Sequence, residues 1–143
     1  MRTLFMLTLL SGLFSCVKDD DVDTIPPATC STADVVISED KFLNAPGDPL
    51  TIQSVDITED CIEITFSAGG CDGSSWEVRL IDSEAIIETL PVTRDLRLSL
   101  KDDESCEALL FKTVSFDLTP IRYQEGPVRI HLKNHNEYIL YTY

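Results

Sequence analysis

Apolar and polar residues alternate along most of this chain, and that pattern limits it to β structure. In Cys61–Phe66, the apolar side chains of Ile62, Ile64 and Phe66 share one face of an extended strand, and polar residues lie between them. Successive side chains of a strand point to opposite faces, so each such run predicts one buried and one solvated face. Runs of the same kind are Trp76–Leu80, Leu96–Leu100 and Val128–Leu132. Less regular strands are predicted at Val35–Ile37, Thr51–Ile57, Ala85–Glu88, Leu109–Leu118 and Tyr138–Tyr143.

The number and length of these runs decide the fold class. Turn-forming residues separate them, as in Ala45–Pro49, and helical periodicity is nearly absent. Seven to nine short strands at this spacing are typical of a two-sheet sandwich. We therefore predict an all-β fold over residues 30–143, a single antiparallel two-sheet β-sandwich of immunoglobulin-like architecture with two disulfides.

The charge of the chain narrows its possible partners. Its 143 residues include 25 Asp and Glu against 11 Lys and Arg, which gives a formal net charge of −14. Nucleic-acid binding needs basic residues that displace counterions from phosphates, so no nucleic-acid partner is predicted. Two of the few cations, Arg94 and Arg97, follow Pro91 on one strand, and we expect them to neutralise nearby carboxylates.

The first sixteen residues have the organisation of a secretory signal, with a positive charge at Arg2 and an apolar stretch before Cys16. That stretch is shorter than the roughly 20 residues that span a bilayer. The ending Leu13-Phe14-Ser15-Cys16 resembles the lipobox of bacterial lipoproteins. The resemblance implies that residues 1–15 are a removable signal peptide and that a lipid on the thiol of Cys16 anchors the protein to a membrane. The alternative is an ordinary signal peptide that happens to precede a cysteine.

Charged residues follow Cys16 at once and continue into an acidic segment that contains Pro26 and Pro27. This beginning resembles the export signal of Bacteroidota-type surface lipoproteins, in which a lysine and acidic residues follow the acylated cysteine. The resemblance implies display on the outer face of the outer membrane, with the signal formed by Lys18, Asp19, Asp20 and Asp21. Alternatively, residues 16–29 are only a solvated tether, and the protein stays on the periplasmic face.

Four cysteines remain if Cys16 is acylated, and an even number in an exported chain favours disulfides. Cys61 begins a strand, and Cys71 lies in the loop beyond the other end of that strand, about 20 Å away at 3.3 Å per residue. A disulfide needs Cα atoms within about 7 Å, which disfavours a Cys61–Cys71 bridge. The strand that starts at Trp76 runs down, and Leu96–Leu100 runs up if Ala85–Thr89 forms only a short edge piece or corner. The chain then returns to the end that holds Cys71. We therefore predict the disulfides Cys71–Cys106 and Cys30–Cys61, at opposite ends of the sandwich.

The sequence contains no motif that identifies a reaction, so no catalytic residue, metal site or cofactor is predicted. His131 and His135 fall on a strand and on the turn after it, a spacing of about 13 Å. Two acidic clusters could supply oxygen ligands to Ca²⁺ from loops at the ends of the sandwich. They are Asp102-Asp103-Glu104, and Asp56 with Glu59 and Asp60. The simpler interpretation of both clusters is a solvated acidic loop.

Aromatic residues provide a sugar-binding hypothesis, because an amphipathic ring can bury one face and offer a polar edge. Trp76 shares its strand face with Val78 and Leu80, so we expect it in the core. The candidates for such a platform are Trp76, Tyr123, Tyr138, Tyr141 and Tyr143.

Together these features favour a lipid-anchored β-sandwich at the outer-membrane surface that acts as a binding or accessory module. Its expected partner is a larger outer-membrane protein complex or a glycan. A structural envelope protein without a ligand is one alternative. The other is a small surface hydrolase, whose acidic residues would come from Asp72, Asp102 and Glu104 near one end of the sandwich. No enzymatic activity is predicted.

Overall fold

Two β-sheets account for most of the computed structural model, which describes residue 30, residues 33–124 and residues 126–143. The predicted signal peptide and tether, with Cys16 and Lys18–Asp21, lie outside the described residues. Within the described residues there are nine strands: β1 (Ala33–Asp34), β2 (Val36–Ile37), β3 (Leu50–Thr58), β4 (Cys61–Gly70), β5 (Glu77–Ile87), β6 (Val92–Lys101), β7 (Ala108–Asp117), β8 (Val128–Lys133) and β9 (Tyr138–Tyr141). A helix, α1 (Glu39–Asn44), and a 3₁₀ turn at Thr119–Ile121 complete the chain.

The strands form one sheet in the order β1-β7-β4-β3 and a second in the order β2-β5-β6-β8-β9. This arrangement confirms the prediction of an all-β, two-sheet sandwich. The sheets are mixed, however, because the pairs β1–β7, β2–β5 and β6–β8 are parallel. Parallel neighbours need a long connection, and between β6 and β8 the chain crosses to the other sheet to form β7.

One apolar core lies between the sheets, as the alternation predicts. From β4, Ile62, Ile64 and Phe66 are fully buried, and they belong to the same core cluster as Leu96 and Leu100 of β6. Trp76 is also buried, with its ring centroid 5.8 Å from that of Phe66. The expectation that Trp76 packs in the core is therefore confirmed.

Both predicted disulfides are present, at opposite ends of the sandwich. Cys30 is joined to Cys61 with a Cα–Cα distance of 5.4 Å, and Cys71 is joined to Cys106 with one of 4.7 Å. They close loops of 31 and 35 residues, and each closure stabilises the fold by about 3–4 kcal/mol in the chain-entropy model.

The alternation does not predict α1, which is only six residues long. Ser38 caps its first turn by accepting a hydrogen bond from the Lys41 backbone N–H, and Glu39 and Asp40 favour the positive end of the helix dipole. The guanidinium of Arg97 holds the end of the helix by donating to the carbonyl oxygens of Phe42 (2.8 Å) and Ala45 (2.8 Å). Arg97 therefore binds backbone carbonyls, and the expectation that it neutralises a carboxylate was wrong.

Strand β5 also differs from the sequence pattern. Two separate segments were expected, Trp76–Leu80 and Ala85–Glu88, whereas the structure has one strand with an irregular register between Asp82 and Ile86. Glu84 within this bulge has a φ of 67°, a left-handed conformation that changes the direction of the strand.

A buried ion pair lies beside this bulge. Asp82 and Arg94 are both buried, and the pair is bidentate, with Nε–Oδ2 at 2.8 Å and Nη2–Oδ1 at 2.7 Å. The backbone N–H of Glu84 also donates to Asp82 Oδ1, at 2.7 Å. Arg94 thus neutralises a carboxylate as the sequence predicts, but inside the sandwich instead of on its surface.

Removing one charge of this pair should destabilise the fold strongly, because the other charge is left buried without a partner. We expect Asp82→Asn to lower the free energy of unfolding by about 3–5 kcal/mol. In the control, Glu77→Gln removes a carboxylate from the exposed pairs with Arg79 and Lys101, and the expected loss is below about 1 kcal/mol. Urea unfolding measures both, and equal losses would contradict the prediction.

Candidate functional site

At the end of the sandwich that holds Cys71–Cys106, the Glu104 carboxylate binds the loop between β4 and β5. Its Oε2 accepts hydrogen bonds from the backbone N–H groups of Cys71, Asp72 (3.2 Å) and Gly73 (3.1 Å). Its Oε1 accepts from the backbone N–H of Ser75 at 3.4 Å and from the Ser75 hydroxyl at 3.1 Å. Gly73 has a φ of 70°, the left-handed conformation that lets successive N–H groups converge. The loop is an anion-binding nest that already contains an anion of its own chain.

These contacts fix the charge of Glu104. Desolvation opposes its ionisation, but the hydrogen bonds from Gly73, Cys71, Ser75 and Asp72 outweigh that effect and lower the pKa of Glu104 to about 2. The side chain is therefore ionised at neutral pH and does not serve as a general acid.

The other two carboxylates of the hydrolase hypothesis also bind backbone groups. Asp72 Oδ1 accepts from the N–H of Ser74 at 2.8 Å, and Asp102 Oδ1 accepts from the N–H of Glu104 at 2.8 Å. All three predicted residues lie at this end of the sandwich, as expected, but each one orders a loop. Their geometry gives no support to a hydrolase built on them.

The acidic clusters do not converge on a cation position. Asp103 forms an ion pair with Lys101 at 2.9 Å, and Asp60 forms one with Arg122. Among residues 30, 33–124 and 126–143, no group of three or more His, Cys, Asp or Glu side chains is arranged to hold a metal ion.

Asp60 instead organises the opposite end of the sandwich. Arg122 Nη2 donates to Asp60 Oδ2 at 2.6 Å, and the hydroxyl of buried Tyr141 donates to Asp60 Oδ1. The hydrogen bonds from Arg122 and Tyr141 lower the pKa of Asp60, while burial and the bond to Asp60 raise the pKa of Tyr141 to about 12. The Arg122 guanidinium also lies 4.8 Å from the ring centroid of Tyr143.

The five candidate aromatics do not form a common platform. Trp76 and Tyr141 are buried, and Tyr143 is hydrogen-bonded through its hydroxyl to both backbone groups of Tyr123, at 2.8 and 2.9 Å. Tyr138, in contrast, is 61% exposed on the outer face of the second sheet.

Tyr138 lies at the centre of a small surface that we call the Tyr138 face, formed by Arg129, His131, Tyr138 and Leu140. The registers of β8 and β9 place Tyr138 opposite His131 and Leu140 opposite Arg129. The rings of Tyr138 and His131 are 5.2 Å apart, and the Arg129 guanidinium is 5.7 Å from the Tyr138 ring. Leu140 is 58% exposed. The face therefore combines an aromatic ring, an aliphatic side chain and a cation at neighbouring positions of one hairpin.

Asp95 and His131 form the edge of the Tyr138 face that lies nearest to α1. Asp95 is opposite His131 in the parallel β6–β8 pair, and its Oδ1 is 2.8 Å from His131 Nδ1. A cavity of about 180 Å³ lies next to this pair, between Phe42 and Lys133. His135 is in the turn after β8, so the two histidines do not form a joint site.

The charge of this surface differs from that of the whole chain. Arg129 and Lys133 both project from it, and among the described residues neither forms an ion pair with a carboxylate. Each lies over an aromatic ring instead, Arg129 over Tyr138 and Lys133 over Phe42 at 5.5 Å. Two cations and one carboxylate, Asp95, therefore lie on or beside this partly apolar surface, on a chain of net charge −14.

Comparison with protein-family models gives no match, and neither does comparison with curated proteins. Solved structures share the fold. A NigD-like immunity protein from Bacteroides caccae aligns over 76% of this chain, with a TM-score of 0.58 and 12% identity. A protein of unknown function, DUF1344, from Bacteroides vulgatus aligns over 78% with a TM-score of 0.54 and 16% identity. A putative toxin-related protein from Parabacteroides distasonis aligns over 76% of this chain, with a TM-score of 0.50 and 17% identity.

This chain spans 58%, 56% and 57% of the lengths of those three chains, which is less than two thirds of each. At such low identity the likeness extends to the fold alone. In the described part of the chain, no helix has the length and apolarity needed to cross a bilayer.

The nest around Glu104 predicts a specific loss of stability in acid. Because the folded pKa, about 2, lies below the ordinary value of 4.5, the stabilisation is complete above pH 4.5 and declines as the pH falls toward 2. The difference in unfolding free energy between the wild type and Glu104→Gln should therefore shrink between pH 6 and pH 3. Urea unfolding at several pH values measures it, with Glu107→Gln as the control. A difference that does not change with pH would contradict the prediction.

Proposed function

We propose that this protein is a lipid-anchored binding module at the outer-membrane surface, and that it binds a protein partner through the Tyr138 face. The observation that carries the proposal is the coincidence of exposed Tyr138 and Leu140 with the unpaired cation of Arg129. Tyrosine and arginine are enriched among the residues that contribute most to protein interfaces.

The chemistry of the face indicates what kind of partner it fits. Arg129 on the face and Lys133 beside it would pair with carboxylates, while Tyr138 and Leu140 would bury apolar side chains at the centre of the contact. The expected partner is therefore a protein segment in which acidic residues surround an apolar one. Of the structural neighbours, one is a NigD-like immunity protein and another is a putative toxin-related protein, and a role of that kind for this chain would need a protein-binding face.

A glycan is the second candidate. The exposed Tyr138 ring beside the Asp95–His131 hydrogen bond, next to a cavity of about 180 Å³, could stack on a sugar and bond its hydroxyl groups. We favour a protein because the five candidate aromatic side chains do not form one stacking surface: Trp76 and Tyr141 are buried, and the Tyr143 ring packs against Tyr141 and Arg122.

The location in the cell rests on the N-terminal segment. The lipobox-like ending at Cys16 and the following Lys18–Asp21 support acylation and export to the surface. The solved structures that share the fold come from Bacteroides and Parabacteroides, which fits the resemblance of this signal to those of Bacteroidota-type lipoproteins.

Acylation and display can be tested on one pair of variants. The wild type should fractionate with membranes and carry acyl mass at Cys16, and Cys16→Ser should lose both properties. Proteinase K added to intact cells should degrade the wild type. A variant in which Lys18, Asp19, Asp20 and Asp21 are all changed to Ala should resist the protease until the cells are lysed. A wild-type protein that resists the protease in intact cells would place the domain on the periplasmic side.

The binding face can be tested by photo-crosslinking in intact cells. A photoreactive residue at Leu140 should form a discrete product with another protein, and one at Asp56, an exposed position on the other sheet, should not. Adding Arg129→Glu to the Leu140 probe should reduce the yield at least tenfold, because the new carboxylate repels an acidic partner. Equal products at both positions, or a yield that Arg129→Glu leaves unchanged, would refute the protein-binding proposal.

A further inference from the structure

Strand β7 has an open side along most of its length. β4 pairs with all of it, from Ala108 to Asp117. On the other side, β1 pairs only with Phe116 and Asp117. Among the described residues, no strand pairs with residues 108–115 on that side, so β7 is an edge strand there.

The hydrogen-bond pattern shows which backbone groups face the open side. The N–H of Leu118 donates to Asp60 across the β4 side, and bonded positions recur at every second residue of an antiparallel pair. Even-numbered residues of β7 therefore bond to β4. On the opposite side, the carbonyl of Asp117 accepts a hydrogen bond from the N–H of Val35 at 3.3 Å, so this odd-numbered residue directs its carbonyl away from β4. The N–H and C=O groups directed to the open side belong to Leu109, Phe111, Thr113 and Ser115.

The side chains beside this open row are apolar and exposed. Leu109 is 66% exposed and Phe111 is 65% exposed on the outer face of the sheet. Their neighbours on β4 are Gly69 and Ser67, which are too small to cover them. Native edge strands are usually protected by charge, often from lysine. Lys112 does not protect this edge, because its Nζ donates to the Gly73 carbonyl at 3.1 Å and lies over the ring of buried Trp76.

We propose that this edge pairs with the same edge of a second copy of the chain, in antiparallel orientation, so that the two sheets become one continuous sheet. The distribution of charge along the strand favours a second copy of the chain as the partner of this edge. No acidic residue occurs from Ala108 to Phe116, although the chain as a whole has a net charge of −14. A second copy would be repelled over most of the surface, and this strand is a place where two copies meet without facing carboxylates.

The sequence of the strand also suits self-pairing. An antiparallel pair centred on Phe111 places Phe111 opposite its own copy and Leu109 opposite Thr113, all on the outer face. It uses residues 108–114, which fits within the open stretch. The segment before Cys30 is a poorer occupant, because Pro26 and Pro27 lack the N–H groups that a paired strand donates.

The test is the oligomeric state of the chain from residue 16 onward with Cys16→Ser, measured by sedimentation velocity over a range of concentrations. We expect a monomer–dimer equilibrium. Phe111→Lys should raise the dimer Kd at least tenfold. Thr113→Pro should do the same, because it removes an N–H directed to the open side; it keeps the backbone hydrogen bonds to β4 and loses the exposed side-chain bond to Thr65. The control variant is Leu43→Lys on α1, where the wild-type leucine is 65% exposed. The dimer Kd of this variant should equal that of the wild type.

Amide hydrogen exchange provides a second measurement that does not depend on the variants. The amides of Leu109, Phe111 and Thr113 should exchange rapidly in dilute solution and become protected as the dimer forms. Those of Leu110, Lys112 and Val114 should be protected at every concentration, because they bond to β4. A monomer up to millimolar concentration would overturn the proposal. So would a dimer that both β7 variants leave intact, or protection confined to another strand.

Discussion

The burial of one apolar face of each sheet against the other is the interaction on which the rest of this structure depends. Residues such as Ile64 and Leu98 meet in a single core, and every strand that contributes to it must keep its apolar positions inward. The outward positions are then free to vary. The Tyr138 face and the exposed side of β7 both consist of such positions, on opposite sheets. The core therefore supports two separate surfaces without being changed by either.

The acidic residues of the loops have a consistent use at both ends of the sandwich. Glu104 fills a nest of backbone N–H groups at one end, and Asp60 binds Arg122 and Tyr141 at the other. Each arrangement lies at an end of the sandwich that holds a disulfide. Glu104 satisfies backbone N–H groups that have no partner in a regular ladder, and Asp60 binds two side chains. The excess of carboxylates in this chain thus serves loop structure at these places, where a cluster of acids in the sequence would otherwise indicate a metal site or catalysis.

Much of the fold could be predicted because alternation and strand direction are local properties. Cys71 and Cys106 were paired from the direction of three strands, without any knowledge of the sheet order. The Asp82–Arg94 pair could not be predicted, since charged residues at inward positions interrupt the alternation and the bulge hides their register. The Asp95–His131 contact beside the Tyr138 face depends on the parallel pairing of β6 with β8, which joins two residues that are 36 positions apart in the sequence. Only Ser38, with two acidic residues after it, was a local signal that could have revealed α1.

The Cys30–Cys61 bridge determines how the domain would respond to mechanical load. A pull exerted through the residues before Cys30 passes across the sulfur atoms to the first residue of β4, and so bypasses the two-residue strand β1. β4 is paired with β3 along one edge and with β7 along the other, whereas β1 is paired with β7 through two residues only. A load applied from this side would therefore reach the domain through a strand that is hydrogen-bonded along both edges.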